Sequence, residues 1–137
     1  MTVLIDSNVL LDIITEDPTF LEWSSRTLEE VADSARVVIN AVIYAETSVR
    51  FMQIEDVDDV LAEAGIERVD IPFEAAFLAG KAFAAYRKRS GVKTAVLSDF
   101  FIGAHAAVAG YRLMTRDISR VRTYFPQVRL ITPIATN

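Results

Sequence analysis

Five short runs rich in branched apolar side chains, TVLID, ARVVIN, IERVDI, YRLMT and VRLIT, alternate with longer stretches of helical spacing. Parallel strands can be joined only through crossovers of a dozen or more residues, usually helices, so this alternation restricts the chain to βαβ units. The expected class is α/β, a parallel sheet of about five strands sandwiched by helices. The helical stretches are SNVLLDIIT, the span from Pro18 to Ala35, AVIYAETSVRFM, EDVDDVLAEAG, FEAAFLAGKAFAAYRKRSG, SDFFIGAHAAVAG and ISRVRTYF. Gly65, Gly91 and Gly110 stand where helices should end, and Pro18 where one should start. In such sheets ligands bind outside the carboxyl ends of the strands, where connections diverge. Asp6 closes the first strand and lies at such an end.

A chain of 137 residues has the length of one domain, expected to span 1–137, without repeats or linkers. Hydrophobic residues make up 52% and mean hydropathy is +0.29, more than one core requires, so part of the apolar surface is expected to cover an interface. The absence of Cys excludes disulfides and thiolate metal sites. Any metal is left with oxygen ligands and the single His105, which suits a hard cation. No basic segment precedes the first apolar run, and Asp6 and Asp12 interrupt it, so neither a signal peptide nor a membrane span fits and a cytoplasmic protein is expected. The net charge of −5 hides an asymmetry. Residues 1–79 carry 4 Lys/Arg against 17 Asp/Glu (−13), and residues 80–137 carry 10 against 2 (+8). A dipolar soluble protein and a basic partner-binding surface both fit that division.

Four carboxylates stand at informative places. Asp6 is followed by Ser7 and Asn8, which leaves open whether it belongs to a helix cap. Glu46 has Val42 and Ile43 four and three residues before it and Val49 three after, so it projects from an apolar stripe, where an unpartnered carboxylate is costly. Asp99 opens the apolar SDFFIGAHAAVAG helix, with Ser98 as the expected cap, and Asp117 follows the fourth strand. Each alone is explained by capping or by the helix dipole. Together, two acids past strand ends and two on helices bordering those ends would repel one another unless a divalent cation lay between them. The set describes a Mg²⁺ or Mn²⁺ site, with the hydroxyls of Thr115, Ser7 and Ser98 placed to hold water. His105, in the small-residue stretch GAHAAVAG, reads as a satisfied core histidine. Asp12 reads as solvated, with a supporting role in the cleft as the alternative. Trp23 reads as core or interface. Lys93, Arg112, Arg116, Arg120 and Arg122, with the run YRKRSG, could contact phosphates, although basic residues also gather at helix ends.

VLIDSNVLLDII, INAVIYAE, LSDFFIGAHAAVAGYRLMTRD and YFPQVRLITP, in that order, resemble the PIN domain across essentially the whole chain, in particular the VapC toxins of VapBC toxin-antitoxin pairs. The pattern falls on Asp6, Glu46, Asp99 and Asp117, with Thr115 as the hydroxyl of the last motif. The resemblance implies a Mg²⁺- or Mn²⁺-dependent endoribonuclease, a homodimer, and inhibition by a cognate VapB-like antitoxin. Asp6, Asp99 and Asp117 would hold the metal, with Glu46 direct or through water, for hydrolysis leaving 5′-phosphate and 3′-OH ends. RNA, for example transfer or ribosomal RNA, would be clamped by the basic half through Arg112, Arg116, Arg120 and Lys93. The apolar surplus, expected on the helices Pro18–Ala35 and Glu55–Ala64, would suit an antitoxin helix.

Other readings compete. A haloacid-dehalogenase-like phosphatase needs a second Asp where Asn8 stands, and a receiver domain needs an acidic pair and a late Lys that are missing from the expected places. A housekeeping RNA-processing nuclease would share the same acids, and a non-catalytic binding module would use them only as caps.

Overall fold

The computed structural model describes residues 1–89 and 91–133. Strands β1 (Thr2–Ile5), β2 (Arg36–Ile39), β3 (Glu67–Arg68), β4 (Arg112–Met114) and β5 (Leu130–Ile131) form one sheet in the order β3-β2-β1-β4-β5. All four pairings are parallel, with Leu4 in register with Val38 on one side and Leu113 on the other. The helices are α1 (Ser7–Ile14), α2 (Leu21–Ser34), α3 (Ala41–Ser48), α4 (Ile54–Glu63), α5 (Phe73–Lys88), α6 (Phe101–Ala109) and α7 (Ile118–Tyr124), with a 3₁₀ turn at Leu97–Phe100 before α6. The chain moves outward from β1 to β3, then returns past β1 to β4 and β5. Right-handed crossovers therefore put α1 to α4 on one face and α5 to α7 on the other. Covering both faces buries Val3, Leu4 and Ile5 of β1 completely.

The α/β expectation and the five strand runs agree with this architecture. Helix boundaries differ in places, for local reasons. Helix α2 starts at Leu21 rather than Pro18, because the Asp17 carboxylate accepts from the amides of Thr19 (2.8 Å) and Phe20 (2.9 Å) and holds Pro18 in the entry turn. Helix α3 ends at Ser48, well before Met52; the Ser48 hydroxyl donates to the Tyr44 carbonyl at 2.6 Å, a bond that competes with the helical ladder. Gly110 does end α6, in the left-handed region at φ 73°, where a Cβ would be strained. Ser90, inside the stretch read as α5, lies outside the described residues, as does the segment 134–137 of the expected domain span.

The apolar surplus is not where it was expected. The outward face of α2 carries Glu22, Arg26, Glu29, Glu30 and Asp33, and α4 exposes Glu55, Asp56, Asp59 and Glu63. Large exposed apolar side chains stand instead mainly at Val49 and Met52 between α3 and α4, at Ile54 where α4 starts, at Phe73 and Phe77 on α5, and at Val92, Val96 and Leu97 before α6. Among the described residues no helix is long and apolar enough to cross a membrane.

Helix α6 is built for close approach. A Cβ on Gly103 would lie 2.4 Å and 2.7 Å from ring carbons of the buried Phe125, whose ring is held in the core beside α6. Gly103→Ala is expected to destabilise the fold by about 1–3 kcal/mol through overpacking. Phe125→Leu in the same chain should recover part of that loss in urea denaturation, whereas additive losses would show that the two positions do not share one space.

Candidate active site

Strands β1 and β4 are neighbours, and the connections leaving the sheet diverge to opposite sides at this point. The Asp6 amide donates to the Met114 carbonyl at 2.9 Å, so the residue after β1 is locked beside the residues after β4. Asp6 occupies the cap position of α1, yet its side chain makes no capping bond. Its Oδ2 accepts from Thr115 Oγ1 at 2.6 Å. Thr115 Oγ1 in turn accepts from the Asp117 amide (2.9 Å) and lies 3.4 Å from Asn8 Nδ2. Ser7 Oγ stands between two acids, 2.7 Å from Glu46 Oε1 and 3.3 Å from Asp6 Oδ1. With one proton to donate, it serves Glu46.

Asp99 lies in the 3₁₀ turn, where its Oδ2 accepts from the Val96 amide at 2.8 Å, so the cap position is Val96 and not Ser98. Asp117 caps α7 by position only; its Oδ2 pairs with the guanidinium of Arg120 one turn later. Asp6, Ser7, Asn8, Glu46, Asp99 and Asp117 line one cavity of about 150 Å³ whose apolar walls include Ile102, Leu113 and Phe125. At roughly 30 Å³ per molecule that is space for about five waters. Burial pushes the Asp6 carboxyl above the ordinary Asp value, the Thr115 bond offsets part of this, and the charges of Glu46 and Asp117 add to the rise.

Residues 3–125 match the PIN domain family. The chain belongs to that family. Its fold also resembles chains from VapBC2 of Rickettsia felis bound to a promoter DNA fragment (TM-score 0.70, 18% identity, covering 96% of this chain and 98% of that one). A toxin-antitoxin complex from Klebsiella pneumoniae (0.67, 19%, 98% and 99%) and VapBC-1 from nontypeable Haemophilus influenzae (0.68, 15%, 96% and 98%) are similar in the same way. No curated protein sequence matches the chain.

The donor set of this PIN domain fits a hard divalent cation: oxygen only, in a cavity that gathers like charge. Asp6, Glu46 and Asp99 have no ion-pair partner among the described residues, and hydrogen bonds engage one oxygen each of Glu46 and Asp99. The acids are not closed on one point, however. Among the described residues no three of His, Asp and Glu converge tightly enough to enclose an ion. Arg120 holds Asp117 and the Val96 amide holds Asp99, which keeps the set open.

His105 is 1% exposed and stays outside the cavity. Asn40 caps α3 by accepting from the Ile43 amide through Oδ1 (3.0 Å), so its Nδ2 faces His105 Nδ1 at 3.0 Å. Nδ1 is therefore the acceptor and Nε2 carries the proton. Burial holds the imidazole below its ordinary pKa, in keeping with that neutral tautomer. Thr115 is also recast. Its proton goes to Asp6 and its lone pairs to Asp117 and Asn8, so it orients the acids and has nothing left to hold a water.

Asp12 is not solvated. It is 2% exposed, and both its oxygens are taken, by Arg116 Nη2 (2.8 Å) on Oδ1 and by Arg116 Nε (2.8 Å) and Ser24 Oγ (2.9 Å) on Oδ2. The Arg116 guanidinium also lies 4.2 Å from the Phe20 ring centroid, and its amide donates to Asn8 Oδ1 at 3.3 Å. Arg116 is thus a clamp that fastens the loop after β4 to α1 and α2, and not a rim cation for RNA. Arg112 opens β4, opposite Val3, at the far end of the sheet from the acids. Lys93 and Arg120 do stand beside the site, joined by Arg89 from the run YRKRSG and by Asn8, which the sequence offered only as a capping residue.

Arg116→Met leaves a buried unpaired carboxylate at Asp12 and is expected to cost about 3–5 kcal/mol in chemical denaturation. Asp12→Leu with Arg116→Met should recover most of that loss, and a double variant as unstable as the single one would show that the pair itself is not the cause. The raised Asp6 pKa has a definite sign. Between the ordinary value and the raised one the folded state holds a proton that the unfolded chain has lost, so stability falls as pH rises through that window. Asp6→Asn, which keeps an acceptor for Thr115, should therefore raise the Tm of the metal-free protein at pH 7, with a gain that shrinks towards pH 4. An unchanged or lower Tm at pH 7 in EDTA would contradict the crowding of charge around Asp6.

Proposed function

We propose that this PIN domain is a Mg²⁺- or Mn²⁺-dependent endoribonuclease and the toxin of a VapBC-type toxin-antitoxin pair, acting in the cytoplasm. The observation that carries the reading is the single cavity lined by Asp6, Glu46, Asp99 and Asp117 at the point where the β1 and β4 connections diverge. The toxin assignment draws on fold neighbours that are themselves toxin-antitoxin complexes and that match this chain along nearly its full length. A VapB-like antitoxin and a second copy of the chain belong to this proposal as partners.

Asp6, Asp99 and Asp117 are the residues that would hold the ion, with Glu46 direct or through a water; the ion, when bound, supplies a water of lowered pKa and charge compensation for a phosphodiester. The chain's own residues do the positioning. Thr115 fixes Asp6 and the Asp117 amide relative to each other, and Ser7 holds Glu46 over the first strand end. The apolar wall of Ile102, Leu113 and Phe125 limits the space to a few waters and lowers the local dielectric, so charge-charge terms act strongly there. Arg120, already in the cavity, supplies the positive charge that an incoming phosphate needs. Hydrolysis by water leaves 5′-phosphate and 3′-OH ends.

The deciding experiment is transcriptome-wide mapping of new 5′-phosphate ends after brief induction of the chain alone, beside Asp99→Asn. Ends confined to a few RNAs, lost in the variant by at least a hundredfold with the thermal melt preserved, are the expected result. Identical maps from the two chains, in a host whose tRNA and rRNA are intact, together with no Mn²⁺ heat in calorimetry, would overturn the reading.

A further inference from the structure

The acidic cavity has a neighbour of opposite character. A second cavity of about 360 Å³ lies between the carboxyl end of α5, residues 92–94 and α7, and Asp117 and Arg120 line both. Asp117 is the one carboxylate in its lining, and Arg120 already pairs with it. Arg89 and Lys93, at the rim, enter no ion pair among the described residues. Two cations without counter-charges beside one cavity form a focused positive field, which calls for an anion.

The lining is aromatic and fixed. Tyr86 and Tyr124 meet edge to face at 6.3 Å, and each packs 5.4 Å from Phe100, a buried ring. Arg89 Nη1 donates to the Tyr124 hydroxyl at 3.2 Å, and the Tyr86 hydroxyl accepts from the Ala95 amide at 2.8 Å. These bonds hold the two rings in place before any ligand arrives. Cations at the edge and phenol rings in the wall match the two parts of a nucleotide, its phosphate and its base.

We infer that this second cavity is a nucleotide subsite for the strand whose neighbouring phosphodiester lies at the acids. Arg89 and Lys93 hold the next backbone phosphate and the Tyr86–Tyr124 wall receives its base. The inference rests on the nuclease reading above and adds a place for the substrate. The volume lies at the small end of ligand cavities and admits about one nucleotide. A base can enter only if it is unstacked and unpaired, so the subsite selects single-stranded segments or loops over duplex. Arg120, on the shared wall, lies between the two phosphate positions.

The test is binding without cleavage. Asp99→Asn chain is titrated against a 5′-fluorescein octauridylate in Mg²⁺, with fluorescence anisotropy across a salt series. Adding Arg89→Ser and Lys93→Ser should weaken binding about tenfold and flatten the log Kd against log salt slope by about 0.7 to 1.4, since each single-strand phosphate contact contributes about 0.7. Arg26→Ser with Arg36→Ser, an equal charge loss on the other half of the chain, should leave the slope unchanged. A fluorescein-labelled hairpin duplex should bind the two cavity forms alike. An unchanged slope in the cavity variant, or an equal loss in the control, overturns the subsite. The two proposals fail separately. If wild type cleaves but the cavity variant binds normally, the subsite falls alone; if wild type is inert yet the cavity variant loses binding, the nuclease reading falls and the subsite stands.

Discussion

The hydrogen bond from Thr115 to Asp6 joins the ends of two adjacent parallel strands, and the arrangement of the site follows from what it must hold. A carboxylate at the buried end of a central strand is expensive in charged form, and the nearby Glu46 and Asp117 make it more so. Register solves part of the problem: with Ile5 opposite Met114, the next residue pair is Asp6 and Thr115, so a hydroxyl meets the carboxylate without any loop adjustment. The same hydroxyl accepts the Asp117 amide, which sets the second acid from the first. Ser7 then spaces Glu46 from Asp6 by standing between them. The loop carrying Thr115 and Asp117 is anchored from outside by the Asp12–Arg116 pair, so Asp12 of α1 and Ser24 of α2 support the site without lining its cavity.

How much of this was legible depended on whether the partner was local. The strands, the left-handed Gly110 and the place of Asp6 at a strand end were readable because each is decided by neighbours in sequence. Glu46 was found by its apolar stripe, although that stripe was partly mistaken, since α3 stops at Ser48 and Val49 is 82% exposed. The same criterion would have recovered Asp12, which follows the fully buried Val9 by one turn. What no local pattern carries is its partner: Arg116 lies 104 residues away, and only the β1–β4 pairing brings it near. The cap of the 3₁₀ turn was misplaced for a different reason. Ser98 has the better capping side chain, but Asp99 reaches back to the Val96 amide and sets the start there.

Counting charge by segment correctly found that the two halves differ but not what the basic half does. Its arginines divide into separate roles. Arg116 is consumed by a buried acid and an aromatic ring, Arg112 lies at the opposite end of the sheet, and Arg120 has moved into the acidic cavity. Only a subset that includes Arg89 and Lys93 faces open space beside the acids. A net charge of +8 over residues 80–137 is therefore an upper bound on what any polyanion could meet at the site.

Arg120 explains how a cavity of four acids can fold before any ion arrives. Carboxylates held close with no cation between them would be driven to take up protons, and the buried Asp6 is already pushed that way. A guanidinium inside the cavity relieves one of them at once. The relief is shallow, because Arg120 and Asp117 are each about one third exposed (30% and 32%), and ion pairs in that environment are worth only about 0–1 kcal/mol. A divalent cation competing for Asp117 therefore displaces little stabilisation, whereas the Asp12–Arg116 clamp, with Asp12 fully enclosed, is too costly to open. The two arginines, one in the loop after β4 and one in α7, are in this way separated by the burial of their carboxylate partners, one fixing the frame and the other free to yield.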